Sequence, residues 1–446
     1  MTGAQPFDLP ITSFGIAGLF GKFELELPLT KLPLILVGPN GTGKSTVLSI
    51  LNLFFTGQWS ELSRYPFLSV KLSTGGQCAE FTKDDLIALQ ALRTFYSRVA
   101  RPAARIRSLP AEWNEISRIL RTRTIPLPPN YDLEQRYYDI RRLSEFVDRI
   151  TKPSVLFYPT YRRIERELHQ LIDLREFAEY DLDLSTGIRQ RFLDYGEVIG
   201  FGGQDVQGLI NQATSDIENS ARQALNEHSV RFLELIYQTG KLSTASYRNL
   251  ISDSTKVDRL IERINTLAPD TINTSLLTES IAGIQDKIRK GGAGRLSAKE
   301  DVAIFYVAQL MQVFLRIDAL TRPLQQFCHL IDDYLRPFKR AVFDEAHFKV
   351  HMRGLDDGDV TLDDFSSGEK QVLSLFAFLM FSVSPRGQIL IVDEPELSLS
   401  VVWQNRLLAD LIGTNRPVIF VTATHSPYIF DKLSLDHTLS MEELLR

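Results

Sequence analysis

The chain has 446 residues, enough for two or three domains with a sizeable core, and its 50 Lys and Arg against 55 Asp and Glu leave a net charge of −5. That balance argues against a protein that grips nucleic acid over its whole surface, which needs clustered cations, and leaves only a local basic patch open. The two cysteines, Cys78 and Cys328, sit in unrelated contexts, the start MTGAQPFDLP lacks a basic and apolar export signal, and the apolar stretch from Leu373 to Val383 falls short of the roughly 20 residues of a membrane span. Neither a disulfide framework, a cysteine metal site, export nor membrane insertion is expected, and a cytoplasmic location fits.

In chain order, ITSFGIAGLF and KFELELPL read as strands around Gly21, and LPLILVG from Leu32 reads as a fully buried strand. A helix is predicted over Thr46 to Phe55. Phe67 to Leu72 and Cys78 to Phe81 form a hairpin around Gly75 and Gly76. The pattern is then mainly helical from Lys83 to about Ile150, broken by PLPPN at Pro126 to Asn130, until Ser154 to Tyr158 returns as a short strand stopped by Pro159.

Residues 165–338 read as a helical insertion, with one helix starting at Asp205 as N-cap. At RKGGAGRLSAKE the glycines Gly291, Gly292 and Gly294 supply a turn, and Ser297 with Glu300 forms a capping box for the next helix, which makes this the tip of a helical hairpin. Strands resume at FKVHM. The expected fold is an α/β P-loop head with a mixed β-sheet drawn from both ends of the chain, residues 1–164 (helical insertion about 83–150) and 339–446, plus the inserted helical domain at 165–338.

The chemistry lies in three motifs. GPNGTGKS, Gly38 to Ser45, has a strand before it and a helix after it, the context of a phosphate-binding loop. Gly38, Gly41 and Gly43 let backbone N–H groups face the phosphates, Lys44 reaches the β and γ phosphates, and Ser45 is a Mg²⁺ ligand. ILIVDEPE, Ile389 to Glu396, is a buried strand ending in two acids: Asp393 for Mg²⁺ and Glu394 to polarise an attacking water. FSSGEKQVLSLFAFL from Phe365 opens an apolar helix with a Ser-Ser-Gly turn, where Ser366 Oγ and the N–H groups of Ser367 and Gly368 make a second anion site. A chain whose P-loop already cradles the phosphates has no use of its own for that site. It serves best by closing over a nucleotide held by another subunit.

GPNGTGKST, FSSGEKQ, ILIVDEPELSLS and VTATHSP, in this order, resemble the ABC-type ATPases of the SMC and OLD class, well at both ends of the chain and loosely in its helical middle. The resemblance implies an ATPase using ATP and Mg²⁺, with a nucleotide set of Gly38, Asn40, Gly41, Gly43, Lys44, Ser45 and Thr46. Ser366, Ser367, Gly368 and Glu369 would come from the partner subunit, Ser45 and Asp393 would hold the metal, and Glu394 and His425 would be catalytic. It also implies a D-loop around Leu397 to Ser400 that crosses the dimer seam. The glutamine of the Q-loop is missing after SVLFY; either Thr160 or Arg162 takes its place, or Arg162 and Arg163 are simply solvated or pair with Glu165 and Glu167.

FYPTYRRIERE, LDYGEVIGFGGQDV and DEPELSLSVVWQ narrow the similarity to the ATPase subunits of bacterial anti-phage systems of the PARIS and Septu kind. Those ATPases work with a separate effector nuclease, TOPRIM-like or HNH, and the short stretch after His425 leaves no room for a fused TOPRIM domain. The implied assembly is a homo-oligomer of ATP-bridged dimers, a hexamer among the options, answering a phage-derived trigger and binding DNA weakly on its own. The competing reading is an SMC-like DNA-repair or chromosome-maintenance ATPase, disfavoured because the insertion makes short arms rather than long heptad coils. A transporter subunit is disfavoured by the size of the insertion.

Three further patterns read as bland. Asp344-Glu345-Ala346-His347 spells a helicase box without the buried strand before it, and GFGG at Gly200 to Gly203 lacks the setting of a dinucleotide loop. Lys287, Arg289, Lys290 and Arg295 at the hairpin tip read as a solvated turn, with contact to nucleic acid or a partner as the sharper alternative.

Overall fold

The computed structural model describes residues 11–99, 112–120, 127–150, 154–159, 197–198, 203–239, scattered positions between 258 and 286, 297–345, 347–382 and 387–444. The chain divides into two compact units, one of residues 1–201 with 374–446 and one of residues 202–373. The Thr160 and Arg162 candidates, most of GFGG, the glycine turn and the basic hairpin tip lie outside the described residues.

The first unit holds two sheets. Strands β1 (Ile11–Leu19), β2 (Phe23–Pro28), β4 (Ser69–Thr74) and β5 (Gln77–Thr82) form an antiparallel sheet in the order β2-β1-β4-β5. Strands β3 (Leu34–Val37), β6 (Ser154–Tyr158), β7 (Glu197–Val198), β10 (Gln388–Asp393), β11 (Pro417–Thr424) and β12 (Thr438–Ser440) form a parallel sheet in the order β12-β3-β11-β10-β6-β7. Both ladder types expected of the head are therefore present, each in its own sheet. The central strands β3 and β10 are apolar runs because they are covered on both faces, and every residue of β10 is buried.

Helix α1 (Lys44–Thr56) supplies the centre of this core. Its Phe54 ring lies 5.1 Å from Phe14, 5.6 Å from Phe55 and 5.3 Å from Phe81, each pair edge to face. A short helix α2 (Trp59–Leu62) follows α1, and α3 (Lys83–Val99), α4 (Trp113–Leu120) and α5 (Leu133–Ile150) lie in the helical stretch expected from Lys83 to about Ile150. Buried Asp85 anchors that stretch to the β5 end: it accepts hydrogen bonds from the Thr82 amide, the Tyr131 hydroxyl at 2.9 Å and the Arg136 guanidinium at 2.9 Å.

In the second unit, α6 (Gly203–Thr239) and α7 (Ala298–Leu335) pack together, with a core that includes Ala221, Ile304, Val307, Leu310 and Phe314. The Ser297–Glu300 capping box expected for α7 is present. Asp205 is not an N-cap: it lies inside α6, which already runs from Gly203, since Gln204 is a good helix former and a glycine is tolerated in the frayed first turn. By length and composition α7 is apolar enough to cross a membrane, and half of its most apolar window is buried in the protein. Strands β8 (Arg340–Asp344) and β9 (Lys349–Arg353) make an antiparallel hairpin. Asp344 and His347 of the apparent helicase box sit at its turn, paired to each other at 2.7 Å, and not at the end of a parallel strand. Helix α8 (Ser367–Phe381) contains the boundary between the units, and α9 (Val401–Gly413) and α10 (Met441–Leu444) complete the first unit.

Phe54 is 1% exposed and touched by three rings, so Phe54→Ala is expected to lower unfolding free energy by about 3–5 kcal/mol. The readout is a fall in the urea midpoint of the wild-type transition with its slope unchanged.

Candidate functional site

Parallel register gathers the motifs of the first unit at one edge. Thr424 of β11 pairs with Val37 of β3, and Asp393 of β10 pairs with Ala423 of β11, so three strands end side by side. Ligands of open parallel sheets bind beyond such carboxyl ends, because the loops there face a common crevice. Residues 38–43 leave from β3, Glu394 from β10 and His425 from β11.

The loop after β3 curls because its glycines accept left-handed geometry: Gly41 has φ +83° and Gly43 φ +87°, and a Cβ at Gly41 would meet nothing within 4 Å. Asn40 and Gly41 are exposed, Ser45 is exposed on the first turn of α1, and Thr46 is half-buried beside it. Gly43 is the N-cap of α1 and provides no side-chain cap, so the first-turn amides remain available to an anion. Lys44 is only 5% exposed, and its Nζ donates to the carbonyls of Gly38 at 2.7 Å and Pro39 at 2.9 Å. Burial pushes the Lys44 ammonium below the ordinary lysine range, opposed by the carboxylates of Glu394, Asp393 and Glu396. An ammonium held inside a glycine loop by carbonyls alone fits phosphate oxygens as its stronger partners.

Asp393 is buried at the end of β10. Glu394 adopts φ +49°, a conformation that costs a non-glycine residue on the order of 1 kcal/mol, and its N–H is pinned to Ala423 O at 2.9 Å. The turn aims its carboxylate at the crevice, where Glu394 Oε1 lies 4.0 Å from His425 Nε2. A carboxylate and a hydroxyl, Asp393 and Ser45, are hard oxygen donors of the kind a magnesium ion takes together with phosphate.

The second anion motif belongs to the other compact unit, where Ser366 and Glu369 form a reciprocal capping box. The Ser366 amide donates to Glu369 Oε2 at 2.7 Å, and the Glu369 amide donates to Ser366 Oγ at 3.3 Å. Of the four orphan N–H groups at this helix start, those of Ser367 and Gly368 are left over, while the Ser366 hydroxyl also bonds the Glu369 carboxylate. Lys339 Nζ bonds Glu369 at 2.9 Å and lies 4.4 Å from the Phe365 ring centre. Burial raises the Glu369 carboxyl, but the bonds from Lys339 and Ser366 outweigh it, and its pKa ends below the usual range.

Four residues escaped the sequence reading. Phe20, at φ +54° and 41% exposed, places its ring where a Cβ on Gly43 would stand 2.6 Å away. Lys339 has no motif around it. Glu396 and Gln404 tie the loop after β10 to the segment after β11; only Glu396 carried a signal, as the last acid of ILIVDEPE.

Fold and site together define an α/β P-loop ATPase domain with a helical insertion. The family described as "AAA domain, putative AbiEii toxin, Type IV TA system" matches residues 34–431, and the chain belongs to that family. Among solved structures, the chain is similar to an Smc head domain with an extended coiled coil bound to the C-terminal domain of ScpA, from Pyrococcus furiosus (9% identity, 95% of this chain and 91% of that chain, TM-score 0.35). It is also similar to an Smc head domain with a coiled coil and joint from Pyrococcus yayanosii (15% identity, 95% and 93%, TM-score 0.30).

Gly43→Ala meets both the φ penalty and the Phe20 ring, an expected loss of about 3 kcal/mol in thermal or urea unfolding. In a Phe20→Ala background the steric part vanishes and about half of that loss should return; full additivity of the two substitutions would show that the ring is not the obstacle.

Proposed function

We propose that this chain is an ABC-type ATPase that works as the sensor or scaffold subunit of an anti-phage complex, with ATP-dependent pairing of two copies controlling a separate effector nuclease. The observation that carries the ATPase part is the placement of Glu394, strained and pinned, beside His425 at the strand ends that also present Lys44. The defence part is supported by the resemblance of FYPTYRRIERE and DEPELSLSVVWQ to the ATPases of such systems.

In this reading Lys44 and the α1 amides hold the β and γ phosphates. Glu394 takes a proton from the water that attacks the γ-phosphorus, the bond to the bridging oxygen breaks, and ADP and phosphate leave. His425 holds the γ-phosphate in line with that water. Bound Mg²⁺, held by Ser45 and Asp393, would neutralise charge building on the bridging oxygen. Phe20, exposed beside the loop, offers the base a stacking face. The N–H groups of Ser367 and Gly368, with Ser366 Oγ, complete the site of a second copy, and closed two-fold pairing puts two such sites in each dimer. A hexamer is among the assemblies such dimers build, a phage product is the trigger, and DNA binding by the chain alone is weak and salt-sensitive. Tight duplex binding at physiological salt would favour the SMC-like repair reading instead.

Glu394→Gln keeps shape and loses the base. It should bind ATP, hydrolyse it about 10²–10⁴ times more slowly and accumulate a dimer in size-exclusion light scattering, whereas unchanged turnover would remove Glu394 from the chemistry.

Subunit mixing tests the split site. Lys44→Ala lacks the phosphate cation and Ser366→Arg blocks the signature turn, so each alone should be inactive. A mixed dimer pairs one intact P-loop with one intact signature and should regain up to about half of the wild-type turnover per dimer. Zero activity at every ratio, with exchange shown by pull-down of differently tagged copies, would overturn the split site; so would normal hydrolysis by Ser366→Arg alone.

A further inference from the structure

Around the candidate site one carboxylate has no role in the chemistry described above. Glu396 Oε1 accepts two backbone N–H bonds from the neighbouring segment, His425 at 2.7 Å and Ser426 at 3.1 Å. Its Oε2 is buried without a hydrogen-bond partner, a costly arrangement for a carboxylate, and its charge reaches Lys44. Gln404 on α9 closes the circuit. Its Nε2 donates to Leu399 O at 2.9 Å and to Glu396 O at 3.4 Å, while its Oε1 accepts the Ser426 hydroxyl at 2.7 Å. The loop from 397 to 400 is thereby joined through Glu396 to His425 and Ser426 and through Gln404 to Ser426, and Ser398 within it sits at φ +64°.

We infer that Glu396, with Gln404, is a positioning residue: it fixes the His425 backbone so that the imidazole stays near Glu394, and it makes His425 follow any movement of the 397–400 loop. The inference rests on the ATPase reading above, since it gives His425 something to be positioned for. Acceptance by a single oxygen is the essential feature. A carboxylate offers lone pairs to two N–H groups at once, and so does the carbonyl of an amide in the same place. A group that acts through geometry changes the rate of the chemical step more than ground-state binding. Its effect also disappears once the residue it positions is gone.

The test is single-turnover ATP hydrolysis by the full chain, with ATP affinity and the melting curve measured for each variant. Glu396→Ala should lower the hydrolysis rate about 10- to 100-fold with Kd for ATP within about threefold of wild type. Glu396→Gln should recover to within about threefold, because its carbonyl accepts the same two amides. In a His425→Ala background Glu396→Ala should cost less than about twofold more, the non-additivity of residues acting as one unit. Gln404→Met, which keeps volume and loses the bonds, should cost about 3- to 10-fold by the same route, and it carries the test should Glu396→Ala fail to fold. Wild-type rates in both Glu396→Ala and Gln404→Met overturn the inference while leaving the ATPase reading standing. So does a Glu396→Gln variant as slow as Glu396→Ala, or a full additional loss in the His425→Ala background. A wild-type chain that binds and hydrolyses no ATP overturns the ATPase reading, and the inference falls with it.

Discussion

An ammonium taken out of water is the constraint around which the first unit is arranged. Lys44 has left solvent, and desolvation alone would drive it towards neutrality. Two loop carbonyls and the fields of three carboxylates, Glu394, Asp393 and Glu396, hold the charge in place. The same carboxylates would repel one another without it. In the proposed ATPase reading, phosphate oxygens would take over the Lys44 bonds from the carbonyls and meet the α1 amides.

The charges meet because of the sheet. Lys44 and Asp393 are far apart in sequence, and their strands are not even neighbours: β11 lies between β3 and β10. Parallel register puts Asp393 level with Ala423 and Leu36, and Thr424 level with Val37, so three loops leave within a residue of one another and β11 contributes His425 from the middle. Both faces of β10 and β11 are buried, so a slip of one residue would exchange side chains between two differently packed faces and leave voids and clashes. Core packing thus sets the distances between these loops. The aromatic cluster of Phe14, Phe54, Phe55 and Phe81 fastens α1, and with it the phosphate loop, to the antiparallel sheet.

At the second anion motif the balance is local. A capping box normally satisfies a helix end for stability alone, and here Glu369 does so while placing a negative charge beside amides that would receive phosphate. Lys339 compensates. Its ammonium bonds Glu369 and also the Asp364 carbonyl at 3.1 Å, drawing the carboxylate charge away from the Ser367 and Gly368 amides.

By itself the sequence determined most of the elements and the local geometry around each motif, because these depend on short-range rules. Glycines at 41 and 43 before a helix, an apolar strand ending in Asp393 and Glu394, and the Ser297–Glu300 box all occur as their spacing demands. Asp205 and β8 show the limit of such rules: a good capping residue ends up inside a helix when the residues before it can also be helical, and a strand precedes FKVHM where the pattern gave none. Only the tertiary structure decided what meets what. That Glu396 would hold the His425 amide, that Gln404 would bridge Leu399 and Ser426, that Phe20 would lie on Gly43 and that Lys339 would neutralise Glu369 carry no pattern of their own. These pairs lie on separate elements, and their meeting is set by strand order, register and helix packing. Those in turn follow from the burial of the whole apolar core and not from any single motif.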